Sequence, residues 1–208
     1  MLSRARRILA RLRADTAGAT MVEFAMALPL MIGTYVGGVE LSMAIECNRN
    51  VAQATHAMTD LASQCSWISA TGTNGNSCWI NNIFGATAVI MQPYNSANAN
   101  MRLTEVQIVS STQMQIVWSA VQNGSSSNAY TAYAAGTRVA LPANLTVSNA
   151  GAMFPTAAGG TASAGSYLLL GEVSMNYAPA VAYNNMTSFS FSEKIYMSPR
   201  QSNSVPYS

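Results

Sequence analysis

The sequence predicts an α+β fold. A long N-terminal transmembrane helix should extend into a small extracytoplasmic domain with an antiparallel sheet and a second short helix. Three observations predict this. An apolar run extends from Ala19 to Ile45 with Glu23 and Glu40 as its charges. A helical stripe of apolar residues continues beyond it to Cys65. Two pairs of strand-like segments then follow in the second half of the chain.

Five arginines (Arg4, Arg6, Arg7, Arg11 and Arg13) stand before the apolar run. As a helix, its roughly 27 residues at ~1.5 Å each would reach about 40 Å, against ~30 Å for a hydrocarbon core. Arginines on the N-terminal side predict that this end stays in the cytoplasm and the rest is translocated. The expected organisation is a basic leader (1–18), a transmembrane helix (19–46), a helix extension (47–65), an extracytoplasmic α+β domain (66–199) and a polar tail (200–208).

Three readings of the N-terminal stretch compete: a cleaved secretory signal, an uncleaved anchor, and a prepilin-like leader cut on the cytoplasmic side so that the helix is kept. The apolar run is about twice the ~7–15 residues usual for a secretory signal, and it has no clean A-x-A ending. The third reading accounts for two further features. Gly18 puts a small residue at the boundary between charged and apolar parts, and a cut between Gly18 and Ala19 would make Glu23 the fifth residue. A carboxylate costs ~2.5 kcal/mol or more at the centre of a membrane helix and less near its end. The new α-amino group of a neighbouring subunit would supply an opposite charge in the same layer and set the register between helices. The competing reading places Glu23 at the headgroup level, solvated. Pro29 removes a helix hydrogen bond, and Gly33-x-x-x-Gly37, followed by Gly38, permits close helix approach. Beside Glu23 these residues favour a helix that packs against other helices.

The helix should continue past the membrane. Leu41, Ala44, Ile45, Val51, Ala54, Thr55, Met58, Leu61, Ala62 and Cys65 recur at three- and four-residue steps, while Glu46, Asn48, Arg49, Asn50, Gln53, Thr59, Asp60 and Gln64 between them are polar. A continuous helix from Ala19 to Gln64 would span roughly 70 Å, with one stripe of its second half packed on the globular part. Cys65 and Cys78 bracket Ser66–Ser77, a loop-like segment rich in Gly, Asn, Ser and Thr. A disulfide between them in an oxidising compartment would contribute on the order of 3 kcal/mol. Cys47 is left over, as a buried or lipid-facing thiol.

Trp79–Met91 reads as a second helix ending before Pro93. Leu103–Val109 and Met114–Val121 read as an antiparallel hairpin, Asn123–Asn128 as a polar turn and Arg138–Leu141 as a short extended piece. Met153–Gly165, rich in Gly and Ala, reads as a mobile loop. Tyr167–Tyr177 and Ser188–Met197 are the clearest strands. The tail after Pro199 is polar and expected to be disordered.

Charged residues make up only 9% of the chain, and half of the ten basic ones lie in the leader. From Cys47 onward five basic residues face four acidic ones, which leaves no basic face for nucleic acid. The lone His56 sits mid-helix, and no nucleophile–base set, phosphate loop or metal-ligand spacing is present. Glu105, Glu172 and Glu193 fall in separate strands and read as solvent-facing or ion-paired. The expectation is a non-enzyme with no cofactor, no metal and no small-molecule substrate.

Arg13–Leu30 resembles the opening of the TadE-like and TadG-like minor pilin (pseudopilin) family of bacterial Tad (Flp-type) pilus systems. The residues that carry the resemblance are Gly18, Ala19, Val22, Glu23, Phe24, Ala25, Leu28 and Pro29. Looser landmarks follow in Pro93-Tyr94, Val117-Trp118-Ser119, Leu141-Pro142, Glu172-Val173 with Tyr177 and Pro179, and Ser198-Pro199-Arg200. Met175 stands where an aromatic usually pairs with Tyr177, and the Gly/Ala-rich insert is longer than the pattern. The resemblance implies a pilin-like lollipop processed by a prepilin peptidase after Gly18, with Glu23 and Phe24 in assembly. It also implies other Tad pilins, minor pilins and the assembly platform as partners. The implied location is the bacterial inner membrane, single pass, with the domain periplasmic or carried into the extracellular pilus, and the implied role is adhesion and biofilm formation. The alternative is an unprocessed, membrane-anchored periplasmic scaffold or binding protein.

Overall fold

The computed structural model describes residues 17–72, 78–110, 112–125, 129–142, 165–180 and 188–208. Helix α1 (Ala17–Ser63) is unbroken through Pro29. Two short parallel strands follow, β1 (Ile68–Ser69) and β2 (Cys78–Trp79), and then helix α2 (Ile80–Ile90). A five-stranded antiparallel sheet holds β3 (Ala99–Ile108), β4 (Gln113–Asn123), β5 (Arg138–Ala140), β6 (Tyr167–Tyr177) and β7 (Phe189–Met197). The strands lie in the order β5-β4-β3-β6-β7. The fold is α+β, with a long N-terminal apolar helix followed by an antiparallel sheet and a short second helix. The chain divides into two compact units, Met1–Met43 and Ala44–Ser208.

In the second unit the C-terminal part of α1 buries Cys47, Val51, Ala54, Met58 and Ala62, at steps of three and four residues. They join Met101 and Leu103 of β3 and Leu169, Val173 and Met175 of β6 in one core. The helix lies very close to the sheet at one point. A Cβ on Gly171 would sit 1.9 Å from Thr59 Oγ1, so only glycine fits this position of β6. Thr59 is buried there rather than polar-exposed as the sequence suggested. Its hydroxyl donates to the Thr55 carbonyl at 2.7 Å, which removes the cost of an unpaired buried donor. Conversely, Leu41, Ile45 and Leu61, read as part of the packed stripe, are exposed.

The opposite sheet face carries a second core of Val106, Ile108, Met114, Ile116 and Leu168, with Tyr133, Leu141 and Tyr196 against it. A register shift in the β3–β4 pairing lets Glu105 pair with Trp118 and Val106 with Ile116, leaving Val117 as the extra residue. Helix α2 buries Ile80, Ile83, Phe84 and Thr87, and the Gln92–Pro93 peptide beyond it is cis. Tyr94 then meets Tyr177 edge-on, with ring centroids 5.8 Å apart.

Residues 199–208 are not a disordered tail. Val205 is fully buried and Tyr207 stacks on Trp118, because the polar composition of this segment hides two side chains that fit the domain. The arginine leader, most of Met153–Gly165 and part of the Asn123–Asn128 turn lie outside the described residues.

Candidate functional site

The first unit supplies one candidate surface. Over Gly18–Met43 helix α1 leaves Met21, Phe24, Met26, Leu30, Met31 and Tyr35 exposed on all sides. A water-soluble helix would turn such residues inward, and this one is long and apolar enough to cross a membrane. Two of its hydroxyls bond to the helix's own backbone: Thr34 donates to the Leu30 and Met31 carbonyls at 3.0 and 2.9 Å, and Ser42 to Gly38 at 2.9 Å. That is how polar side chains are accommodated where water is absent. The stretch fits a single-pass membrane protein.

The residues proposed from the sequence for processing, assembly and helix packing all lie along this helix. Gly18 and Ala19 occupy its first turn and are exposed. Glu23 stands four residues after Ala19, so the two share a face one turn apart. Gly33 and Gly37 are likewise one turn apart. A Cβ on either, or on Gly18 or Gly38, would meet nothing within 4 Å. At about 100° per residue Gly37 falls within about 40° of the Glu23 direction, some 21 Å further along the axis. Gly37 therefore lies on the Glu23 side of the helix, while Gly33 is turned about 80° from it.

Residues 18–60 match the family model described as TadE-like protein. That stretch is TadE-like. The match begins at Gly18, takes in Glu23 and Pro29, and runs on into the part of α1 that packs on the sheet. No curated protein and no solved structure matches the chain.

Beyond the TadE-like segment, Cys65 and Cys78 form a disulfide with Cα atoms 5.8 Å apart, tying the end of α1 to β2. Cys47 is buried, its Sγ 3.8 Å from Met175 Sδ. His56 is exposed, and among the described residues no group of three or more His, Cys, Asp or Glu could hold a metal.

The sheet also holds two buried carboxylates. Glu172 is fully buried, with Arg102 Nε 2.5 Å from one oxygen and Lys194 Nζ 2.7 Å from the other. These three residues form one row across β3, β6 and β7. Arg102 also donates to the Thr131 carbonyl at 2.9 Å and the Tyr133 hydroxyl at 2.6 Å, and its guanidinium lies over the Tyr130 and Tyr133 rings. Burial alone would push the Glu172 carboxyl up. The contacts to Arg102 and Lys194 outweigh it and hold the group below its ordinary value. Hydrogen bonding to Glu172 raises the Lys194 ammonium, and burial pushes Tyr196 up to about 12. This row stabilises the domain across the neutral range. The Glu172 contribution fades as pH falls through its lowered value, and that of Lys194 as pH rises through its raised one.

Glu105 departs from the sequence reading, being neither solvent-facing nor ion-paired. It is buried, and accepts the Val205 N–H at 2.5 Å and the Trp118 indole N–H at 3.0 Å. Burial raises its carboxyl to about 7, against the smaller lowering effect of the two donors. The folded state therefore binds a proton that the unfolded state releases between pH ~4.5 and ~7, and stability falls as pH rises through that window. Glu105→Gln is expected to flatten this decline, which amounts to on the order of 3 kcal/mol. Unfolding midpoints at pH 5 and pH 8 check it, and an equal decline in the variant would contradict the assignment.

Proposed function

We propose that this protein is a minor pilin-like subunit of a Tad/Flp-type pilus. In this reading a prepilin peptidase cuts between Gly18 and Ala19 and leaves α1 in the inner membrane. The domain then lies on the periplasmic side, ready for incorporation into the extracellular pilus, where it supports adhesion and biofilm formation. Glu23 pairs with the freed α-amino group of a neighbouring subunit, Phe24 packs beside it, and Pro29, Gly33 and Gly37 shape the contact with adjacent helices. Partner pilins, minor pilins and the assembly platform are its proposed neighbours.

The observation that carries this reading is the exposed apolar helix with a carboxylate five residues beyond Gly18, inside the TadE-like stretch. An intramembrane acid is expensive unless a partner meets it, and a cut at Gly18 would create one in the same layer of the next subunit. The bulky substitution Gly18→Trp is expected to keep the leader attached and to leave the protein at its precursor mass. Intact mass of the membrane-extracted protein reads this directly, and a variant processed like the wild type would count against the cut.

A further inference from the structure

Residues 204–208 are held by contacts that reach far back along the chain. The Val205 carbonyl accepts the Trp118 indole N–H at 2.7 Å, while its own N–H goes to Glu105. Tyr207 stacks on Trp118 with ring centroids 4.9 Å apart. The main chain adds a strand to β1: Ile68 N–H donates to the Pro206 carbonyl at 2.9 Å, Ala70 N–H to Ser208 at 2.7 Å, and Ser208 N–H to Ile68 at 3.2 Å. A carboxylate, an indole and an open strand edge thus form one slot, filled by a short extended segment.

The chain is fixed again just before this segment. Arg200 Nη2 lies 2.7 Å from Asp60 Oδ1, and the Arg200 backbone N–H donates to the Ser63 carbonyl at 2.8 Å. Between the two anchor points stand only Gln201–Ser204, all polar, which extended would span up to about 14 Å. Val205 is the one fully buried residue of the segment, so it is held mainly by its hydrogen bonds and the Tyr207 stack, all of which an identical segment would make. Exchange of an identical element between copies keeps every contact and changes only which chain supplies it.

We infer that the slot formed by Glu105, Trp118 and Ile68–Ala70 is an exchangeable strand-addition site, occupied in assemblies by residues 204–208 of a second copy of this chain. Main-chain hydrogen bonds supply the attachment, and Val205 and Tyr207 supply the selectivity. The inference does not depend on leader cleavage, since it needs only two copies side by side.

Ser208 lies beside Ser69, because its N–H and carbonyl bond the residues on either side of Ser69. Full-length Ser69→Cys and Ser208→Cys chains carrying different tags would be mixed in detergent micelles under mild oxidation, with bonds mapped by mass. The double variant in one chain, at high dilution, is the control for docking. The expected result is an intrachain bond in the control and a mixed-tag 69–208 bond whose yield rises with concentration. That yield should fall at least tenfold when the Ser208→Cys chain also carries Val205→Asp. A control that forms its bond while the mixed product stays at background would overturn exchange. A control that forms none would overturn the slot itself.

Discussion

Arg102→Met is expected to destabilise the folded domain by about 3–5 kcal/mol, the range for removing one partner of a buried ion pair. Glu172 would keep its fully buried position and lose the cation that meets Oε2, leaving it with Lys194 alone. Tyr130 and Tyr133 would lose the guanidinium they cover, and the Thr131 carbonyl its donor. Denaturant unfolding of the full chain in detergent measures the change. The double variant Arg102→Met, Glu172→Leu should recover much of the loss, because an apolar pair leaves no stranded charge. A single variant within about 1 kcal/mol of wild type would mean that Arg102 does not hold Glu172 in place.

Glu23→Gln is expected to impair pilus assembly at least about tenfold while leaving membrane insertion intact. The substitution removes the charge and keeps the shape, so insertion becomes easier while the attraction to a neighbouring amine is lost. A loss of only about 1.4 kcal/mol per contact lowers an association constant tenfold, and the deficit would recur wherever the contact repeats. Membrane fractionation should show normal amounts of the variant, and electron microscopy should show cells with at least about tenfold fewer pili. Normal piliation in that strain would remove the register role of Glu23.

Much of this architecture is legible from residue spacing. The uninterrupted length of α1 follows from the apolar run and the stripe of Val51, Ala54, Met58 and Ala62, and β6 occupies the same Tyr167–Tyr177 span that its composition marks. What spacing does not reveal is which surface another segment covers. Alternation places Glu172 and Arg102 opposite Leu103, but only the fold shows that residues 129–133 lie over that second face. Thr59 reads as polar on the helix, and its burial depends on the notch left by Gly171 on a strand more than a hundred residues away. A glycine in the middle of the apolar strand Leu168–Val173 was the available signal for such a close approach. In the polar tail, Val205 and Tyr207 are only two side chains, too few to stand out from composition. The membrane-side residues are a different case. Gly18, Glu23, Gly33 and Gly37 stand out because they break an apolar pattern, and in the proposed reading their contacts are made with other molecules.

The most direct test of the account is the N-terminus of the mature protein. Intact mass and N-terminal sequencing would be carried out on the membrane-extracted protein from cells with and without the prepilin peptidase. A cut between Gly18 and Ala19 yields a chain beginning at Ala19 when the peptidase is present and the uncut precursor when it is absent. A protein that still begins at Met1 in cells with active peptidase would contradict it, since Glu23 would then have no neighbouring amine to meet.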